Sequence, residues 1–326
     1  MIYPKFLKKG DLIGITAPSQ GIKHKEESFD KSLNNLKKEF RIIETNNVRT
    51  DGIVSSSKEI RVKELNDLIK DDNVKMILAS SGGDLMMEIL PLLDFDLIKE
   101  NIKWYQGYSD ITNLLYVVTT KLDIATIYAG NAGSFDMTNL HQSLKNNIEF
   151  MKGNLVIQEN FNMYEKEKGD IDGYNLDTKV NVKCDNDVHI KGRIIGGCLD
   201  VLKNIVGTSF DYTKEFIERY KEDGIIWYFD IFSMTSEDVL RTLWQFENAG
   251  WFEYSKAFIF GRVKYPNSFL DMSYIDAYKH VLKDKIIIHE ADIGHVKPTF
   301  TIINGSYVTI DYSNSTFKVE TELKGE

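Results

Sequence analysis

The chain has 326 residues, a length that at roughly 100–200 residues per domain favours two domains or one large one. Apolar residues make up 42% and charged residues 27%, with only 5 prolines and no biased tract, which excludes disordered, collagenous and mucin-like chains. Forty Lys and Arg face 49 Asp and Glu, a net charge of −9, so nucleic acid is not an expected partner, although a local basic pocket stays open.

The opening residues, MIYPKFLKKGDLIGI, contain neither the apolar core nor the small-residue cleavage site of a secretory signal. No apolar run approaches the roughly 18 residues of a membrane span. Cys184 and Cys198 are the only cysteines, too few for a disulfide framework or a cysteine zinc cluster and suited to a reducing compartment. A cytoplasmic location is the expectation.

Through the first half, short apolar runs alternate with amphipathic stretches, the pattern of βαβ units around a parallel sheet. Residues 12–17 (LIGITA) read as a buried strand ended by Pro18-Ser19-Gln20-Gly21, and residues 26–40 as a helix with Phe29, Leu33, Leu36 and Phe40 on one face. Residues 41–44 and 74–79 are further strands, separated by a helix over 59–69 carrying Val62, Leu65 and Ile69. After Ser80-Ser81-Gly82-Gly83-Asp84 the run LMMEILPLL predicts a helix bent or ended at Pro91. A strand over 102–106 then leads through Gly107-Tyr108-Ser109-Asp110 into the helical run ITNLLYVVTTKL.

Residues 153–187 are polar and aperiodic and read as a linker with irregular or β structure. Periodicity returns with GRIIGGCLDVLKNIVGT, the strand GIIWYF, a helix over 236–248, the strand AFIFGRV, a helix near 275–282, and KIIIHEADIGH. Thr235 and Ser236 offer capping hydroxyls, and Gly250 suits the helix end. The tail alternates like β-strands around a hairpin turn at Asn304-Gly305. The fold class expected is therefore α/β: an N-terminal flavodoxin-like parallel-sheet domain (1–153), a linker (154–187), and a C-terminal mixed α/β domain (188–326) with a β-rich tail.

Ser109, between a buried strand and a helix start, can hold its hydroxyl over the sheet edge where helix N–H groups and dipole favour a developing oxyanion. The same position suits a plain helix cap by Ser109 or Asp110, and GYSDI lacks the second glycine of the G-x-S-x-G elbow. The paired glycines Gly82 and Gly83 either let backbone amides approach an anion or simply make a tight turn; no nucleotide-binding glycine fingerprint is present. His295, in a loop bounded by Gly294 and Pro298, can accept and return a proton. His24, His141, His189, His280 and His289 are its rivals. Asp230 follows a buried strand, where open α/β sheets place ligand groups, while Glu237 and Asp238 read as first-turn helix residues. With no H-E-x-x-H or similar spacing, no metal or other cofactor is expected.

In order along the chain stand Gly10-Asp11 with Ala17-Pro18-Ser19, Ser81-Gly82-Gly83, Gly107-Tyr108-Ser109-Asp110-Ile111-Thr112, Gly196-Gly197 with Gly207-Thr208, and Gly294-His295-Val296-Lys297-Pro298. This set resembles the LD-carboxypeptidase family, which includes murein tetrapeptide LD-carboxypeptidases and microcin C immunity peptidases. The resemblance implies a serine peptidase with Ser109 as nucleophile, His295 as base, and an acid supplied by the C-terminal domain. The slot of the family's glutamate holds Asp230, one methylene shorter, so the loop has moved inward or the histidine is held less firmly. Gly197 is followed by Cys198 where the family commonly has Asn. The backbone N–H groups of Gly83 and Asp110 would form the oxyanion hole, with Ser81, Gly82 and Tyr108 beside the substrate, and a homodimer is implied. The expected substrate is a cell-wall tetrapeptide cut at its terminal L,D-bond. A peptidyl-nucleotide antibiotic is the alternative, for which Phe161, Tyr164 or Tyr174 could stack on the base. A catalytically impaired binding protein on the same fold is the third reading.

Overall fold

A computed structural model describes every residue except His24, Asp170 and Glu326, so His24 lies outside the described residues. Five short apolar runs form the strands β1 (Leu12–Thr16), β2 (Arg41–Glu44), β3 (Val74–Ala79), β4 (Trp104–Gly107) and β5 (Thr126–Tyr128). They pair in parallel in the order β2-β1-β3-β4-β5, the flavodoxin-like order, whose switch point lies between β1 and β3. Near-continuous burial along β1 and β3 reflects helices on both faces of the sheet.

The helices Glu26–Leu36, Lys58–Lys70 and Thr112–Leu122 fall where the periodicity places them, the first stopping four residues early. The expected helix after Gly83 is instead a 3-10 turn over Met86–Leu92. Pro91 within it has no N–H to give an α-helical ladder. Three short elements escaped the sequence pattern: β5 itself, and the helices Phe95–Glu100 and Gln142–Met151.

The polar segment after residue 153 contributes β6 (Gln158–Glu159), β7 (Met163–Tyr164) and β8 (Thr178–Lys179). Beyond it come β9 (Val188–Cys198), β10 (Ile225–Asp230), β11 (Ser255–Gly261), β12 (Ile286–Ala291), β13 (Ile302–Asn304), β14 (Tyr307–Ser313) and β15 (Thr316–Glu322). The second sheet runs β12-β11-β10-β9-β14-β15-β6, with β9 to β12 parallel and the remainder antiparallel.

Asn304-Gly305 is not a hairpin turn. β13 leaves its neighbours and pairs antiparallel with β5, placing Ile302 opposite Tyr128 at the edge of the first sheet. Gly305 then carries the chain across: its N–H donates to the Ile194 carbonyl at 2.8 Å, and β14 joins β9. The hairpin lies ten residues later, between β14 and β15, where Asn314 and Ser315 both have positive φ, 48° and 61°, the mirror-image turn that matches strand twist. Ile303 is fully buried, and that apolar contact decides which sheet its strand joins. Ile303→Ala is expected to lower the unfolding free energy by about 2–5 kcal/mol in urea denaturation, a loss that a strand in a solvent-facing hairpin would not produce.

Candidate active site

β4 ends at Gly107, and after an extended Tyr108 the chain turns sharply at Ser109, whose φ is +64°. A non-glycine residue in this left-handed region costs on the order of 1–3 kcal/mol unless its surroundings hold it. Residues Ser109–Ile111 form a 3-10 turn that runs into the helix Thr112–Leu122, so the partial positive charge of the helix start lies beneath the serine. Neither Ser109 nor Asp110 makes a side-chain N-cap. The Asp110 carboxylate instead accepts from the Ser19 hydroxyl at 2.5 Å, the Met86 N–H at 2.8 Å and the Asn113 amide at 2.9 Å. It thereby ties the serine turn to the loops after β1 and β3. Burial pushes its carboxyl above the usual range, against the pull of these hydrogen bonds.

The glycine pair after β3 lies directly against this turn. A methyl group on Gly82 would stand 3.0 Å from Cβ of Ser109, and one on Gly83, where φ is +153°, would stand 2.1 Å from Oγ of Ser19. Only glycine allows the two loops to approach this closely. Ser81, Gly82, Gly83, Tyr108, Ser109 and His295 line one cleft of about 360 Å³. A larger groove of about 690 Å³, between residues 2–11 and 100–103, has no histidine or serine among the described residues of its wall.

Asp230 closes β10 and is fully buried. Its Oδ2 lies 2.7 Å from Nδ1 of His295, in a bent approach rather than a straight hydrogen bond. The same oxygen accepts from the Tyr128 hydroxyl at 2.6 Å, while Oδ1 accepts from the His295 N–H at 3.1 Å. Gly294, at φ +94°, makes this possible: a Cβ there would fall 1.9 Å from Oδ1. The carboxylate reaches its histidine because the residue before His295 has no side chain to hold the loop away. Tyr108 and Phe232 flank the imidazole, with ring centroids 5.0 and 4.6 Å away. The Phe232 loop is held by Asp200, which accepts from the N–H groups of Phe232 and Ser233.

Tyr128 was not singled out by its sequence, because the three-residue β5 carries too short a pattern. Its buried hydroxyl accepts from the Ser109 N–H at 3.4 Å and donates to Asp230, joining the serine turn to the acid. The rival histidines within the described residues go elsewhere: His141 accepts from Ser143 at a helix start, His189 pairs with Asp311 at the surface, His280 lies in a helix's last turn, and burial lowers His289 to about 4. Glu237 accepts from Ser268 and the Leu270 N–H, pinning a loop. Phe161, Tyr164 and Tyr174 pack partly buried against the core and do not line the cleft. Lys297, beside His295, sits over the Tyr108 ring at 4.3 Å, and burial lowers its ammonium to about 8.

The matches to known proteins are of the peptidase class. The LD-carboxypeptidase N-terminal domain matches residues 13–129 and the LD-carboxypeptidase C-terminal domain residues 191–310. The chain belongs to the LD-carboxypeptidase family. It is 28% identical to a Vibrio cholerae protein named as a carboxypeptidase, over 98% of each chain. It is 26% identical to the probable murein peptide carboxypeptidase of Bacillus subtilis, covering 68% of this chain and 66% of the relative. Among solved structures, an MccF-like protein from Bacillus anthracis superposes with a TM-score of 0.82 at 25% identity over the whole of both chains. The muramoyltetrapeptide carboxypeptidase of Oxalobacter formigenes shares the fold, with a TM-score of 0.77 at 18% identity over 96% of this chain and 100% of its own. No helix among the described residues is long and apolar enough to cross a membrane.

Tyr128→Phe removes one hydrogen bond from each side of the site without changing ring volume. It is expected to lower kcat roughly ten- to hundredfold, the worth of a hydrogen bond to a charged group, with the thermal midpoint little changed. An effect confined to KM would count against this positioning role.

Proposed function

We propose that the protein is a serine peptidase that hydrolyses the terminal L,D-bond of cell-wall-derived tetrapeptides. The observation that carries this reading is the 2.7 Å approach of His295 Nδ1 to the buried Asp230, with the same histidine lining one cleft with Ser109. Ser109 Oγ attacks the scissile carbonyl while its proton passes to Nε2 of His295. Asp230 stabilises the imidazolium and holds the proton-bearing Nδ1 toward itself. The backbone N–H groups of Gly83 and Asp110 receive the oxyanion. His295 then returns the proton to the departing amine, and water attacks the acyl-serine by the same steps in reverse.

A carboxypeptidase must also recognise a terminal carboxylate. Lys25 is the one lysine or arginine among the described residues lining the cleft, and we assign it that contact. The names of the relatives support a murein peptide as substrate. A peptidyl-nucleotide is the second reading: MccF has been solved with aspartyl sulfamoyl adenosine, and Phe232, packed edge-on against the exposed Tyr265, offers an aromatic face beside His295. The two free thiols favour a cytoplasmic setting, and the family resemblance favours a homodimer.

Mass spectrometry after incubation with murein tetrapeptide, and separately with a peptidyl-adenylate analogue, tests the reading. Loss of the terminal D-residue from the tetrapeptide is expected, abolished in Ser109→Ala with the fold retained. Cleavage of the adenylate alone selects the second reading, and no turnover of either, with no labelling of Ser109 by an acylating probe, identifies a binding protein. Lys25→Met is expected to raise KM about tenfold or more with kcat nearly constant, the signature of a lost carboxylate contact; an unchanged KM removes Lys25 from that role.

A further inference from the structure

Cys198 ends β9, and in the parallel ladder its partner on β10 is Asp230. The thiol is buried, and one ligand atom from each of Cys198, Asp230 and His295 lies within 4.8 Å of the other two. The His295 side chain is nine-tenths buried, yet its Nδ1 makes no hydrogen bond of good geometry. The thiol donates weakly to Asp200 Oδ2 at 3.8 Å, a carboxylate that also accepts from the N–H groups of Phe232 and Ser233. A thiolate, an imidazole nitrogen and a carboxylate form a donor set for a borderline-soft divalent ion, and three protein ligands leave the fourth position of zinc open to water.

We infer that Cys198, Asp230 and His295 form a binding site for a zinc-class divalent cation, and that the bound cation inhibits the enzyme. On binding, the thiol S–H breaks, its proton passes to solvent, and coordinate bonds form from sulfur, carboxylate oxygen and Nδ1. The single proton of the neutral imidazole must then reside on Nε2. The lone pair that would accept the Ser109 proton is consumed, and Asp230 is drawn away from its role in holding the ring. Occupancy therefore lowers kcat rather than competing for the peptide. The inhibitory half of this inference rests on the peptidase reading, whereas the binding half does not.

Titration with Co²⁺ and Zn²⁺ separates the two. Wild-type protein and Ser109→Ala are both expected to bind one Co²⁺ per chain with a near-ultraviolet thiolate-to-cobalt band. Cys184→Ser keeps that band. Cys198→Ser and Cys198→Asn lose it and bind Zn²⁺ about tenfold or more weakly, as for loss of a metal-binding partner. In the peptidase assay Zn²⁺ lowers kcat, a chelator restores it, and the half-inhibitory concentration rises by a similar factor in both Cys198 variants. Absence of the cobalt band, or equal Zn²⁺ affinity in wild type and both folded Cys198 variants, overturns the site. Binding without loss of turnover overturns the inhibition. Should no peptide be cleaved at all, the cobalt spectrum still decides the site, so that failure of the peptidase reading is distinguishable from failure of this one.

Discussion

A carboxylate withdrawn from water costs several kcal/mol unless its oxygens find partners. Asp230 meets that demand with three groups from two places: the Tyr128 hydroxyl on β5, and the imidazole and N–H of His295 in the loop after β12. Because β5 belongs to one sheet and β10 to the other, satisfying this one group fixes the sheets relative to each other. The acid–histidine geometry and the burial of the acid are thus a single constraint. Gly294 belongs to it as well, since any side chain there would occupy the space of the carboxylate.

The serine obeys a parallel logic on the first sheet. Its left-handed φ is unfavourable by itself, and the strain persists because the residue after it is anchored rather than the serine itself. Asp110 gathers Ser19, Met86 and Asn113, leaving the Ser109 hydroxyl side chain on the cleft wall. The loops so gathered follow β1 and β3, the switch point of the parallel sheet, where strand order reverses and a crevice opens. An anchored turn at a crevice is what allows a short, strained segment to present a side chain to the cleft.

Much of this was legible in the residues. Apolar runs and glycine turns placed β1, β3, β4, β10 and β11, and the ordered glycine, serine and histidine motifs pointed to Ser109, His295 and the cleft residues that the fold brings together. What could not be read was whatever depends on contact between distant segments. The pattern of β5 is three residues long, so Tyr128 stayed hidden although its hydroxyl touches both the serine turn and the acid. Asn304-Gly305 carries a hairpin signature, but the burial of Ile303 against β5 outweighs local turn preference. The aromatics after residue 153 looked available for stacking and are used in packing instead.

Asp230 and Cys198, the positions where the resemblance implies glutamate and asparagine, fall on one rung of the β9–β10 ladder. Side chains in contact rarely vary independently in their energetic effect. An amide at position 198 would bring strong donors and an acceptor beside the acid, whereas a thiol is a weak donor and a weak acceptor. With the thiol, Asp230 is left to Tyr128 and His295, and the shorter acid loses nothing to a competing partner. The same exchange replaces a group that does not bind soft cations by one that does. The acid–histidine contact and the proposed cation site thus both rest on one thiol beside one buried carboxylate.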